Sequence, residues 1–270
     1  MKFYTEPAPI RGVASPVAPG VRRVVADNPG PMTYHGTNTY LLDWADGVAV
    51  VDPGPDQAGH VRDVLAQAGA PVRAVLLTHG HHDHVGALPA MRAATGAPVF
   101  AWRGSGFAPE VPLADGEMAG SWRAVLTPGH APDHVCFVGP DGVVLSGDHV
   151  MGWSSTVVGG PEGDMAAYFR SLERLIGIAA TAYLPGHGPA VPEPVAYAQG
   201  LLAHRQAREA AILAALDGGP ATAAGLVGRI YPELDPGLRQ AAERNVLAHL
   251  AKLSAEGRAV ERSVGWARMG

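Results

Sequence analysis

Between about residues 21 and 187, the apolar positions of the chain fall into short runs that end in turn residues. Runs rich in β-branched residues and bounded by Gly, Pro, Asp or Thr predict buried strands. The predicted strands are Val48–Val51, Ala74–Leu77, Pro98–Trp102, Trp122–Leu126, Val135–Val138, Val143–Leu145 and Ala182–Leu184. Segments with helical spacing alternate with them and predict helices over Ala58–Ala68, Val85–Thr95 and Met165–Ile176. This mixture of strands and helices predicts an α/β fold.

After residue 192 the pattern becomes mainly helical. The predicted elements are helices over Tyr197–Leu216, Thr222–Tyr231 and Pro236–Glu256, and a short β-ribbon over Arg258–Val264. Prolines precede the first of these helices, and a Gly-Gly-Pro break follows it. We therefore predict two domains, residues 1–192 and residues 193–270, and the second is small, mostly helical and winged-helix-like.

Composition and charge narrow the class of protein. The chain has 270 residues, of which 47% are hydrophobic, and its formal charge is −5, so a large core is expected but broad electrostatic capture of nucleic acid is not. No uncharged apolar run reaches the roughly 18 residues of a membrane helix, and the amino terminus lacks a leader pattern. We expect a cytoplasmic protein without membrane contact. The single cysteine, Cys136, excludes a cysteine-rich metal site, so any metal would be held by nitrogen and oxygen.

The strongest chemical signal is the segment THGHHDH, which begins at Thr78 after a predicted strand. It offers imidazoles at His79, His81 and His84 and a carboxylate at Asp83. Neutral imidazole and carboxylate are donors that zinc accepts. Four donors within six residues are too many for one mononuclear site that also keeps a water, so the segment predicts two ions.

Three later residues supply further donors, each just after a strand and each preceded by glycine: His130, Asp148 and His187. A glycine lets the backbone turn sharply over the strand end. We assign the donors to a first ion held by His79, His81 and His130, a second held by Asp83, His84 and His187, and a bridge formed by Asp148. Two zinc ions per chain are predicted, although the mixed donor set would also accept iron or manganese.

The predicted donor set indicates a hydrolase. Two ions would lower the pKa of a bridging water toward neutrality and polarise the attacked group, so the nucleophile would be a hydroxide held between the ions. Asp83 and Asp148 are the predicted catalytic carboxylates. Asp83 or a metal-bound water would pass a proton to the leaving group.

These motifs resemble the metallo-β-lactamase superfamily over roughly residues 21–190. The resemblance implies an αββα sandwich with the metals at one edge of the paired sheets. It also implies that Asp52, in VVDPG, steadies the ligand loop, although an ordinary turn residue at a strand end would have the same sequence. Asp148 stands where many true β-lactamases have a cysteine ligand, so antibiotic hydrolysis is not expected.

Within the superfamily, the segments NPGP at residues 28–31 and GTNTY at residues 36–40, with the helical tail, resemble the β-lactamase-like protein 2 group. That group carries a winged-helix-like carboxyl domain, and its animal members are associated with cleavage of single-stranded RNA. The resemblance therefore adds an RNA-cleaving alternative to the functions considered.

Three functions compete at this point. The first is hydrolysis of a small ester, thioester or lactone. The second is an endoribonuclease or phosphodiesterase acting on single-stranded RNA, which a basic path from the metal cleft to Arg205, Arg208 and Arg244 would favour. The third is a regulatory protein whose tail contacts DNA, and it ranks last because the ligand set is complete. A small-molecule substrate is expected, and the apolar tail helices favour a homodimer.

The sequence also suggests roles for several other residues near the motifs. His82 is expected to point away from the metals. His134 and His149 either orient a ligand or relay a proton, and His35 either lines the pocket rim or is a turn residue without a role. The loop Met151–Asp164 is either a substrate-facing loop or a plain surface loop.

Overall fold

The computed structural model describes residues 2–269. Its strands are β1 (Ser15–Ala18), β2 (Val21–Val25), β3 (Asn38–Trp44), β4 (Gly47–Val51), β5 (Val72–Leu76), β6 (Val99–Trp102), β7 (Val111–Leu113), β8 (Met118–Ala119), β9 (Trp122–Leu126), β10 (Val135–Val138), β11 (Val143–Gly147), β12 (Ala182–Pro185), β13 (Ala259–Arg262) and β14 (Gly265–Arg268). Its α-helices are α1 (Ala58–Ala68), α2 (His82–Val85), α3 (Leu88–Thr95), α4 (Met165–Ile176), α5 (Pro194–Asp217), α6 (Ala223–Ile230) and α7 (Arg239–Ala255). Within residues 2–269, no helix combines the length and apolar character that a membrane crossing requires.

Two sheets form the centre of the molecule. The first has seven strands in chain order from β1 to β7, and the second has five in the order β12, β11, β10, β9, β8. Strands β4, β5, β6 and β7 run parallel to one another, and so do β11 and β12. Parallel neighbours need a crossover connection, which α1, α3 and α4 supply except between β6 and β7, where residues 103–110 form it. The parallel strands present their carboxyl ends together, which is where ligands bind in α/β sheets.

The core has three apolar layers. Side chains of both sheets, including Leu42, Phe137 and Leu145, pack between the sheets. Helices α1 and α3 cover the outer face of the first sheet. Helices α4 and α5 cover the outer face of the second sheet. This layering is an αββα sandwich, and the predicted fold class is confirmed.

Helix α5 belongs to two cores at once. Its first half packs Tyr197 and Leu201 against α4 and the second sheet. Its second half packs Ile212 and Leu216 against α6 and α7. The ribbon of β13 and β14 joins this tail through Trp266, whose backbone amide donates to the carbonyl of Ala221 at 2.8 Å. The predicted helical, winged-helix-like tail is therefore confirmed.

The prediction of a single helix over Val85–Thr95 is wrong in one respect. Two helices, α2 and α3, occupy this part of the chain. The amide of Ala87 donates to the carbonyl of Gly54 at 2.9 Å instead of pairing within a helix. Pro89 then lies in the first turn of α3, where its missing N–H needs no helical acceptor. The break leaves α2 as a separate turn that carries two of the predicted ligands.

Two elements of the tail differ in extent from the prediction. The ribbon was predicted to end at Val264, but Ser263 and Val264 form its turn, and the second strand continues to Arg268. The helix predicted to begin at Pro236 starts as a 3-10 turn over Pro236–Leu238, which Asp235 caps by accepting a hydrogen bond from Gly237 N at 2.7 Å. Turn geometry, which apolar periodicity does not encode, explains both differences.

We expect Leu201→Ala to lower the free energy of unfolding by about 3 kcal/mol, because a leucine buried between α5 and the second sheet leaves a cavity when it is truncated. The matched control is Leu247→Ala on α7, where the side chain is 42% exposed and the change should stay within about 0.5 kcal/mol. Urea unfolding followed by circular dichroism measures both. If Leu201→Ala lowered the free energy of unfolding no more than Leu247→Ala does, α5 would not stabilise the hydrolase core.

Candidate metal centre

The predicted donors meet where strands of both sheets end. Strand β5 leads into the segment from Thr78 through α2, the connection between β9 and β10 carries His130, and β11 and β12 lead into Asp148 and His187. Backbone hydrogen bonds join the two sheets here, since Val135 N donates to Thr78 O at 2.7 Å. The sandwich therefore brings residues distant in the chain to one edge.

The first cluster contains His79, His81, His130 and Asp148, whose donor atoms lie within 4.8 Å of one another. The Nε2 atoms of His79 and His130 are each 3.0 Å from Nδ1 of His81. Three imidazole nitrogens therefore converge on one small volume. One nitrogen of His81 has a single lone pair or a single proton, so ordinary hydrogen bonding does not satisfy this arrangement.

The second cluster contains Asp83, His84 and His187. Oδ2 of Asp83 is 3.1 Å from Nε2 of His187 and 3.5 Å from Nε2 of His84. The two imidazoles are buried, while the Asp83 side chain is 32% exposed and borders the cleft. Asp83 is thus the donor of this cluster that an incoming molecule can reach.

Asp148 lies between the clusters. Its Oδ1 is 3.5 Å from His84 Nε2, and its Oδ2 is 3.6 Å from His130 Nε2 and 3.4 Å from His187 Nε2. All seven donors named from the sequence therefore lie together, and Asp148 contacts members of both groups. Their role as metal ligands stays a prediction.

Two observations indicate that the donors suit divalent cations. Within residues 2–269, His84 Nε2 and Asp148 Oδ1 are buried without a hydrogen-bond partner, and an unpaired buried polar atom costs free energy. The two atoms lie 3.5 Å apart, one in each cluster. The donor set of imidazole and carboxylate, without thiolate, is one that zinc, iron and manganese accept.

The electrostatics of the site favour positive charge. Burial, with His84 next to it, holds the pKa of His79 well below its ordinary value, so this imidazole is a neutral donor. Burial also lowers the pKa of His187, but the Asp148 and Asp83 carboxylates outweigh it and raise that pKa to about 9. The carboxylates thus attract a cation to the second cluster, whether it is a proton or a metal ion.

The Asp52 carboxylate fixes the segment that carries the predicted ligands through hydrogen bonds. Its Oδ2 lies 2.9 Å from His84 Nδ1, and its Oδ1 accepts from Thr78 N at 2.8 Å. The hydroxyl of Thr78 donates to Asp52 Oδ2 at 2.7 Å and lies 3.0 Å from His79 Nδ1. Asp52 thereby fixes one imidazole of each cluster, in the manner of a carboxylate that orients a metal-binding histidine.

Two further contacts to the predicted histidine ligands were not predicted from the sequence. Glu162 Oε2 lies 3.1 Å from His81 Nε2, and the carbonyl of Val157 lies 2.8 Å from His130 Nδ1. Both residues belong to the loop Met151–Asp164, so this loop faces the site. Every residue has a backbone carbonyl, so the sequence does not indicate which carbonyl contacts a histidine. A lone surface glutamate is equally uninformative, because tertiary packing decides which imidazole it contacts.

The remaining histidines have distinct positions. His82 is exposed and belongs to neither cluster. Nε2 of His134 accepts from the backbone amide of Asp148 at 3.1 Å, so it positions the main chain of that residue. His149 is buried, and burial lowers its pKa to about 3. His35 lies 3.1 Å from the carbonyl of Glu6, at the amino-terminal segment.

Glycine is required before one of the donors. A Cβ built on Gly186 would lie 2.4 Å from Asp148 Oδ1 and 2.6 Å from His84 Cε1. Those distances are far below contact, so a side chain at this position would push apart the two clusters. The glycine before His187 is therefore explained by close approach of the donors as well as by the turn.

A cleft of about 460 Å³ opens over the clusters. Its walls include Thr33 on one side and the glycines of the loop Met151–Asp164 on the other. Arg244, from helix α7 of the tail, also borders it. The tail therefore contributes a cationic side chain to the rim of the candidate site.

Comparison with known proteins agrees with this geometry. Residues 32–115 match the Metallo-beta-lactamase superfamily, and residues 222–266 match the Beta-lactamase associated winged helix domain. A protein of Drosophila melanogaster is 34% identical over 264 residues, covering 88% of this chain and 89% of that protein. The chain therefore belongs to the metallo-β-lactamase superfamily, a class of metal-dependent hydrolases.

The Drosophila protein is named Beta-lactamase-like protein 2 homolog, so the predicted resemblance to that group is confirmed. The crystal structure of a Beta-lactamase domain protein from Burkholderia ambifaria is similar with a TM-score of 0.84 and 27% identity, covering 97% of this chain and 95% of that chain. A smaller protein, solved in a di-iron-bound form, has a TM-score of 0.54 and 31% identity, covering 64% of this chain and 95% of that chain. The first of these structures matches both domains of the chain.

We expect Asp52→Asn to weaken zinc binding by about 10- to 100-fold, because the amide cannot provide the charge that orients His84. The matched control is Asp43→Asn on β3, an exposed aspartate that should leave the affinity unchanged. Competition with a chromophoric chelator measures both affinities. Equal affinity of the two variants would contradict the assigned role of Asp52.

Proposed function

We propose that the chain hydrolyses a small ester, thioester or lactone with two divalent metal ions, most simply zinc. The observation that carries this proposal is the position of Asp148, whose carboxylate lies within 3.6 Å of imidazole nitrogens of both clusters. Bound there, two ions would lower the pKa of a water toward neutrality and polarise the acyl group.

The chain's own residues would divide the remaining work. Water adds to the acyl carbon, the bond from that carbon to the leaving oxygen or sulfur breaks, and one proton of the water ends on the leaving group. Asp83 is placed to carry this proton because it is the most exposed donor of its cluster and borders the cleft. Asp148, more deeply buried, is suited to hold the ions together.

Acyl substrates are favoured over single-stranded RNA by the charges around the cleft. A basic path along the tail would favour RNA, but Arg205 is 3% exposed, and its guanidinium donates to the Asn245 side chain and the Thr156 carbonyl. Arg244 borders the cleft, yet Glu162 lies on the same rim. A polyanion needs several free cations along its path, so RNA cleavage is the second candidate.

The number and identity of the ions belong to the same proposal. Four donors in one cluster and three in the other match two ions better than one. Zinc suits imidazole and carboxylate, and the similar protein that was solved in a di-iron-bound form supports iron as the alternative.

We expect Asp148→Asn to lower kcat/KM on acyl substrates by at least about a thousandfold, equivalent to roughly 4 kcal/mol of lost transition-state stabilisation. The matched control is Asp141→Asn, an exposed aspartate before β11 that should act as wild type. The assay is turnover of a panel of thioesters, esters, lactones and labelled single-stranded RNA by protein loaded with zinc.

Turnover of RNA alone, dependent on Asp148, would replace the acyl proposal by the phosphodiester one. Turnover of acyl substrates that Asp148→Asn leaves intact would contradict the site assignment. Binding of duplex DNA without any turnover would favour the regulatory alternative.

A further inference from the structure

A second cavity, of about 320 Å³, lies between the hydrolase domain and the tail. We call it the interdomain cavity. The loop Met151–Asp164 forms one wall, and helices α5 and α7 form the opposite wall. Its volume is at the lower end of the range for small-molecule sites.

The interdomain cavity adjoins the metal cleft. Met32, Met151 and Val157 line both spaces. Val157 also accepts a hydrogen bond from the ring of His130 through its carbonyl, at 2.8 Å. A molecule whose reacting group lies at the clusters would pass these three residues to reach the interdomain cavity.

The walls of the interdomain cavity suit an apolar occupant. Ile212, Leu234 and Val246 contribute aliphatic surface, and Trp153 and Tyr231 contribute aromatic surface. Among the described residues 2–269, no aspartate or glutamate lines the cavity. Two cations also line the wall: Arg205 is bonded as described above, and the Arg208 guanidinium lies 4.7 Å from the centre of the Tyr231 ring, with its Nε buried and without a hydrogen-bond partner among residues 2–269. The apolar side chains, which form most of these walls, do not replace the hydration of a phosphate or sugar.

We propose that the interdomain cavity binds the acyl chain of the substrate, so that the substrate is an ester or thioester of an extended apolar acid. This inference rests on the proposed acyl hydrolysis. It assigns the tail a role in substrate selection, because α5 and α7 complete a pocket that the hydrolase domain alone leaves open. A chain buried there would gain up to about fourfold in binding per methylene.

The test compares acetyl and octanoyl thioesters of N-acetylcysteamine, with wild type, Ala242→Phe and Ala251→Phe. Ala242 lines the cavity, whereas Ala251 is exposed elsewhere on α7 and serves as the matched control. For wild type, kcat/KM for octanoyl should exceed that for acetyl by at least about tenfold. Ala242→Phe should reduce this ratio by at least about tenfold, and Ala251→Phe should leave it unchanged.

Binding of octanoate, measured by calorimetry, supplies a readout independent of turnover. Its affinity should fall in Ala242→Phe and stay at the wild-type value in Ala251→Phe. Should Ala242→Phe fail to fold, Ser155→Phe fills the same cavity from the loop side. A ratio near one for wild type, or a ratio that the cavity variants leave unchanged, would overturn the inference.

The two proposals fail in distinguishable ways. Asp148-dependent turnover of both thioesters at equal efficiency would leave acyl hydrolysis standing and remove the acyl-chain site. Absence of any Asp148-dependent thioester turnover would instead remove the proposed function and, with it, the assignment of the cavity to a substrate.

Discussion

The Asp148 carboxylate is the group on which the site's architecture depends. Burying a carboxylate among polar side chains costs free energy unless opposite charge compensates it. Here the compensating charge comes from His84 and His187, whose pKa values are raised despite burial because carboxylates lie beside them, while the His130 ring faces Asp148 from the other cluster. The close approach of Gly186 leaves room for this contact.

Much of the fold and the candidate site could be predicted because the signals are local. Each donor follows a strand directly, so a short window of sequence contains both the strand and the ligand, as in the segment that begins at Thr78. Parallel strands then bring those ends together. The break between α2 and α3 was missed because the acceptor for Ala87 N is the carbonyl of Gly54, more than thirty residues away in sequence.

The outer contacts of the site could not be predicted for the same reason. Glu162 and the Val157 carbonyl reach their histidines through the fold of a glycine-containing loop. The burial of Arg205 likewise depends on Asn245, which belongs to another helix of the tail. Apolar periodicity places such residues on a helix but does not identify the partner, and that partner decides whether a cation is available to a ligand.

The most direct test of the central claim is anomalous diffraction from crystals of the zinc-loaded protein, collected on both sides of the zinc edge. The account predicts two peaks about 3.5–4 Å apart, with His79, His81 and His130 around one, Asp83, His84 and His187 around the other, and Asp148 in contact with both. A single peak, or two peaks of which Asp148 contacts one alone, would contradict it.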